Sequence, residues 1–260
     1  MRIVYIGGIG RSGSTLVDRL LGQVPGVCAI GELVYTWQRG IAEGNRCGCG
    51  EPFQQCPFWE EVLTAAFGGS QQVDAAHVEH LRAAVDRARF IPWLLAPSVR
   101  PAFRGKLDEY VAYGTRIYDA VRAVSGCEVI VDSSKAPSFA FCLRSSRRID
   151  LRVVHVVRDS RAVAYSWTRK VARPETTGPK YMPRLRPART AGQWNYQGYI
   201  ACIRRCLLNT LVLIISLIVI AFLVILFNTH AAPTMAEWIH ILLAAIGAPL
   251  LVRLICCAYE

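Results

Sequence analysis

Ten cysteines in 260 residues are too few for a disulfide framework, which excludes a small secreted scaffold. No signal peptide precedes the first structural pattern, so the N-terminal domain is expected in the cytoplasm with its thiols mostly reduced. Acidic residues are scarce, 19 against 30 Lys and Arg. That imbalance favours an anionic partner such as a nucleotide, nucleic acid, acidic sugar or membrane surface. The chain carries no RNA- or DNA-binding signature, and no nucleic-acid partner is expected. Charge of either sign is nearly missing from residues 206–260, which hold only Glu237, Arg253 and Glu260. The other 29 basic and 17 acidic residues lie in 1–205. Two chemically different pieces therefore meet near Arg205, a domain over 1–205 and a hydrophobic segment over 206–260.

What is present begins at once. Arg2–Ile6 is a short apolar run with the β-branched and aromatic content of a buried parallel strand. Gly7, Gly8, Gly10 and Gly13 break it, and Ser14-Thr15-Leu16-Val17 opens a helical pattern reaching about Gln23, with Leu20 and Leu21 on its apolar face. Strand, glycine-rich turn and helix form the context of a phosphate-binding loop, whose free N–H groups point at an anion. The spacing Gly8-x4-Gly13 fits half of the P-loop pattern, but Ser14 stands where that pattern has lysine. The nearest cation is Arg11. Gly10, Arg11, Ser12, Gly13, Ser14 and Thr15 are thus the candidate anion-binding residues.

Pro25-Gly26 turns the chain into a second short strand, Val27–Ile30, and Gly31-Glu32 follows. Ligands of parallel sheets sit at the carboxyl ends of strands, so Glu32 is placed to act on whatever the anion is attached to. Cys47, Cys49 and Cys56 follow within ten residues. Zinc, a disulfide or simple packing are all open to them. Neither a second Cys-x-x-Cys nor a nearby His completes a zinc set, although Cys28 is a possible fourth ligand, and no metal is expected. Phe58 and Trp59 read as an apolar anchor. Residues 60–125 read as an inserted helical cap, with helices over Glu60–Phe67, His77–Arg89 and Leu107–Val124. Glu128–Asp132 is a further buried strand, with Ser133, Ser134 and Lys135 at its carboxyl end, and Pro137 starts a helix. Leu151–Val157 is the last strand, with His155 expected in the core. Arg158 follows it and leads into a helix on which Ser166 lies close to two turns on, so that both can meet one further phosphate.

These residues resemble a known family. GGIGRSGSTL is similar to the 5′-phosphosulfate loop of sulfotransferases that use 3′-phosphoadenosine 5′-phosphosulfate (PAPS). VVRDSRAVAYS is similar to their 3′-phosphate motif, with Arg158 and Ser166 at the family's spacing. The nearest sub-group is the bacterial and tyrosylprotein type. There a Gly-Glu pair after the first helix supplies the catalytic base, which Gly31-Glu32 matches, and an Asp-x-Ser-Lys-x-Pro segment matches Asp132–Pro137. The resemblance covers about residues 1–200. It implies an α/β fold with a P-loop-like parallel sheet flanked by helices, and sulfuryl transfer from PAPS to a hydroxyl or amine without a metal. It also implies Glu32 as base, with Lys135 and Arg11 stabilising the transferring group. The family carries neither the lysine nor the metal carboxylates of ATP enzymes, which explains Ser14.

The resemblance stops near Arg205. Leu207–Phe227 is 21 residues long with only Asn209, Thr210 and Ser216 polar. As a helix it matches the roughly 30 Å hydrocarbon core of a bilayer, and Arg204 and Arg205 at its start place the N-terminal domain on the cytoplasmic side. A second apolar stretch, Trp238–Val252, is broken by Gly247 and Pro249. The expected protein is therefore a membrane-anchored sulfotransferase. The alternatives are a P-loop kinase or nucleotidase, and a truncated, non-catalytic sulfotransferase-like membrane protein. The acceptor stays open among lipid, carbohydrate, peptide tyrosine and small metabolites.

Overall fold

A computed structural model describes residues 1–173, 175–176, 180–190 and 192–193. The chain divides into two compact units, Met1–Gly198 and Tyr199–Glu260, and the sheet and the candidate site belong to the first. The apolar runs at 207–227 and 238–252 lie outside the described residues. Among the described residues, no helix is long and apolar enough to cross a membrane.

The core is a parallel sheet of four strands in the order β2-β3-β1-β4. They are β1 (Arg2–Gly8), β2 (Val27–Ala29), β3 (Val129–Lys135) and β4 (Asp150–Val156). Helix α1 (Ser14–Leu21) links β1 to β2, and α6 (Pro137–Arg144) links β3 to β4. Between β2 and β3 run α2 (Pro57–Phe67), α3 (Ala75–Val85), α4 (Ile91–Leu95) and α5 (Pro101–Ser125). Helix α7 (Ser160–Thr168) follows β4. The first crossover leaves β1 towards β2, and the later one carries the chain past β1 to the opposite edge. This reversal puts the end of β1 in the middle, between the ends of β3 and β4, where parallel sheets bind ligands.

Most expected elements form, with informative shifts. Pro101 is pre-organised for a first helical turn, so α5 starts six residues before the expected Leu107. The helix expected over His77–Arg89 stops at Val85, because buried Asp86 leaves the helical path and accepts a bond from Tyr110 Oη at 3.1 Å. The strand expected to end at Asp132 runs on to Lys135, which pairs with Gly7.

Two burial expectations fail. Helix α1 turns Ser14 and Asp18 inward and leaves Leu16 and Leu20 about 60 % exposed, since the space beneath it belongs to polar strand ends. His155 is exposed rather than in the core, because β4 is an edge strand of the described sheet and residues 152–155 are open to solvent.

The β1–β4 contact is especially close at the end that matters. A Cβ on Gly8, whose φ is +136°, would lie 2.5 Å from the Val156 carbonyl oxygen. Gly8→Ala is therefore expected to lower stability by roughly 2–4 kcal/mol, combining backbone strain with forced separation of the two strands. Urea unfolding of the full chain checks this, and an effect below about 0.5 kcal/mol would contradict the contact.

Candidate active site

The loop after β1 is built to leave donors unused. Its turn is closed by Ser12 N–H donating to the Ile9 carbonyl at 3.2 Å, and Gly13 enters α1 with φ +96°. Helix starts usually spend a Ser, Thr, Asp or Asn side chain on their first amides. Helix α1 has no such cap and no acidic residue in its first turn. The amides of Ser14 and Thr15 precede any helical acceptor, so an anion is the natural complement. Side chains repeat the pattern. Arg11 Nε, Ser12 Oγ and Asp18 Oδ1 are buried without a hydrogen-bond partner. Unpaired buried polar atoms are costly, and three on one loop and its helix mark a place where a polar ligand completes the structure. Burial pushes the Asp18 carboxyl up, and Ser133 and Lys135 pull it back only in part.

The end of β4 closes over this loop. Arg158 Nη1 donates to the Arg11 carbonyl at 3.1 Å, and Trp167 Nε1 on α7 donates to the Gly10 carbonyl at 3.1 Å. The Trp167 ring lies so near Gly10 that a Cβ there would sit 2.9 Å from it, and the Arg11 guanidinium lies 5.4 Å from the ring centre. Ser166 is half-buried beside Trp167 on α7. The two candidate motifs, far apart in sequence, are thus physically joined. Asp159 caps α7 by accepting from the Arg161 and Ala162 amides at 2.8 and 3.2 Å.

The third contribution comes from β2 and β3. Lys135 Nζ is ion-paired with Glu32 Oε1 and donates to the Ser133 carbonyl at 3.1 Å. Arg39 Nη1 lies 3.8 Å from the other Glu32 oxygen. Glu32 is held in place from behind. Asp132 is fully buried and accepts from Tyr118 Oη at 2.6 Å, the Ser134 amide at 2.8 Å and Ser134 Oγ at 2.5 Å. Ser134 Oγ in turn accepts from the Val34 amide at 3.0 Å, two residues after Glu32. Ser133 N–H donates to the Gly31 carbonyl at 2.7 Å.

Among the described residues, only Arg11 and Lys135 carry a side chain on a left-handed backbone, with φ of +74° and +63°. Each such position costs on the order of 1 kcal/mol and persists where its surroundings over-determine it.

Glu32 lines a cleft of about 950 Å³ together with Thr15, Arg39, Cys47, Phe58 and Met182. Residues 171–173 pair with 180–182, with Met182 N–H donating to the Val171 carbonyl at 2.8 Å and Arg173 N–H to the Lys180 carbonyl at 2.9 Å. Glu175 accepts at its carbonyl from the Arg46 amide at 2.6 Å, a contact to the start of the cysteine loop. A smaller cavity of about 460 Å³, lined by Arg104, Asp108, Arg116 and Arg148 among others, contains none of the strand-end residues.

All ten residues expected to bind or react therefore lie at the loop or at the adjoining strand ends and α7, in two linked pairs, Glu32 with Lys135 and Arg158 with the Arg11 carbonyl. Asp18, Arg39 and Trp167 were not anticipated. Asp18 could have been found from its i, i+4 relation to Ser14 on one helix face, and Trp167 from its place next to Ser166. Arg39 had no sequence signal, because it reaches Glu32 from a π-helical turn, Thr36–Ala42.

A family model described as "Sulfotransferase family" matches residues 4–205, more than three quarters of the chain. Searches of curated proteins and of solved structures each return no match. The chain belongs to the sulfotransferase family. The phosphoryl-transfer alternative loses its support with that match.

Burial raises the Asp132 carboxyl to about 6 against the pull of the Ser134, Tyr118 and Leu33 donors around it. A group raised on folding gives stability that is full below the unfolded value near 3.9 and is lost as pH rises through about 6. Stability is expected to fall by on the order of 1–3 kcal/mol from this group between about pH 4 and pH 7, and Asp132→Asn should remove that part of the slope. Denaturant titrations of both proteins check this; identical slopes would contradict it.

Proposed function

We propose that this protein transfers a sulfuryl group from PAPS to a hydroxyl or amine acceptor bound in the Glu32 cleft. The observation that carries the reading is the uncapped start of α1 with buried, unpartnered Arg11 Nε and Ser12 Oγ, set between Lys135 and Arg158. Such a cradle suits a 5′-phosphosulfate, with Gly10, Arg11, Ser12, Gly13, Ser14 and Thr15 around it. Arg158 and Ser166 would take the 3′-phosphate. The donor supplies an activated sulfuryl group; the protein supplies position and charge.

Sulfuryl transfer, like phosphoryl transfer, depends on in-line placement and neutralisation of charge on the leaving oxygen. Glu32 accepts the acceptor's proton as the new oxygen–sulfur or nitrogen–sulfur bond forms. The bond from sulfur to the 5′-phosphate oxygen breaks, and Lys135 neutralises that oxygen as it departs. Adenosine 3′,5′-bisphosphate and the sulfated acceptor leave. Ion pairing of Glu32 with Lys135 in the described structure keeps base and electrophilic partner within one contact, and Arg39 retains a cation at Glu32 when Lys135 turns to the donor. No residue is assigned to a metal in this reaction.

Two variants separate binding from chemistry. Arg158→Ala, which removes charged hydrogen bonds worth about 1.5–3 kcal/mol, is expected to weaken adenosine 3′,5′-bisphosphate roughly 10- to 100-fold in calorimetry. Glu32→Gln should bind the bisphosphate normally while losing about 10²- to 10⁴-fold in 35S transfer to a panel of hydroxylated and amine acceptors. Unchanged binding in the first variant, or near-normal transfer in the second, would remove the corresponding assignment.

A further inference from the structure

Sulfuryl transfer as described makes no use of the three cysteines on the cleft wall. The Sγ atoms of Cys47, Cys49 and Cys56 all lie within 4.8 Å of one another, with Cys49 and Cys56 at 3.6 Å. A disulfide requires about 2.05 Å. Thiolates sharing a tetrahedral zinc ion, each about 2.3 Å from the metal, stand roughly 3.8 Å apart. Pairing by oxidation would use two sulfurs and strand the third, whereas one ion engages all three. Packing does not explain the group either, since Cys49 is exposed while Cys56 is buried.

The loop is shaped before any ligand arrives. Cys47 N–H donates to the Glu51 carbonyl at 2.8 Å and Gly50 N–H to the Cys47 carbonyl at 3.0 Å. Gly50 takes φ +99° to complete this turn, and Arg46 Nη1 braces it by donating to the Gly50 carbonyl at 2.7 Å. The turn sets Cys47 and Cys49 side by side. Cys56 is the residue immediately before α2. Phe53 anchors the platform. Its ring centre is 5.0 Å from that of Trp59, and it packs so closely on Gly40 that a Cβ there would lie 2.9 Å from the ring. Cys28, the sequence-based candidate for a fourth ligand, sits beside Cys127 instead. Among the described residues, no other His, Cys, Asp or Glu joins the group.

We propose that Cys47, Cys49 and Cys56 bind one zinc ion through three thiolates, leaving its fourth position to water or to a ligand in the cleft. The site departs from the sequence-based expectation of no metal. It rests on the sulfur geometry and is independent of the donor assignment. Binding displaces the thiol protons and ties residues 47–56 to the start of α2. Soft thiolate donors at this spacing select zinc over magnesium or calcium, so the ion is separate from any requirement of the transfer step.

Full-length protein purified under reducing conditions is expected to carry one zinc per chain by elemental analysis. Replacement by cobalt(II) should give an intense thiolate-to-metal charge-transfer band and tetrahedral d–d absorption. Cys49→Ser and Cys56→Ser should each weaken metal binding at least about 100-fold, while Cys127→Ser leaves it unchanged. If the cysteine variants do not fold, the wild-type cobalt spectrum and a count of alkylatable thiols before and after chelation decide. Reduced protein that takes up neither zinc nor cobalt overturns the proposal. So does zinc retained by both Cys49→Ser and Cys56→Ser, or a Cys49–Cys56 disulfide with Cys47 free in protein isolated without reductant.

Discussion

The loop after β1 must pass between two neighbours that leave no room for side chains, the Val156 carbonyl at Gly8 and the Trp167 ring at Gly10. Everything at the site depends on that passage. It fixes the loop against β4 and α7, so the Arg158 guanidinium reaches a loop carbonyl and the loop amides open towards the same region. Glycine is required at both positions by distance, and at Gly8 by backbone angle as well. An anion-binding loop on a single strand would be a common turn. Held between two strand ends and a helix, it becomes a site with a fixed second contact point.

The opposite side of the site is a relay of hydrogen bonds ending at charge. Asp132 organises Ser134, Ser134 holds the Val34 amide, and the segment beginning at Gly31 presents Glu32 to Lys135. Asp132 touches no candidate ligand, so its contribution is positional. The left-handed backbone at Arg11 and Lys135 fits this view: among the described residues, these two cations are the non-glycine positions held at positive φ. The cysteine loop lines the cleft together with Glu175 and Met182, and Arg46 and Glu175 join through a backbone hydrogen bond.

Much of this was legible from local chemistry. Glycine spacing behind an apolar run, a carboxylate or cation at each strand end, and Pro at helix starts are signals carried by neighbouring residues. Strand order and the approach of α7 to the loop depend on contacts about 150 residues apart, which no local pattern encodes. Helix α1 misled because its sequence is amphipathic in the usual sense, yet its polar face is buried against a polar site and Leu16 and Leu20 face out. His155 misled because an apolar run reads as a buried strand whether or not anything covers it. The cysteine triad was visible as spacing alone; its shared geometry needed the turn at Gly50.

The central claim is that the loop and Arg158 together recognise two separated phosphates without a metal. Calorimetric comparison of adenosine 3′,5′-bisphosphate with adenosine 5′-phosphate, both in the presence of a magnesium chelator, tests it most directly. The account predicts that the bisphosphate binds at least about tenfold more tightly, the equivalent of 1.4 kcal/mol from the second phosphate. Equal affinity for the two nucleotides, or tight binding only of ATP with magnesium, would contradict it.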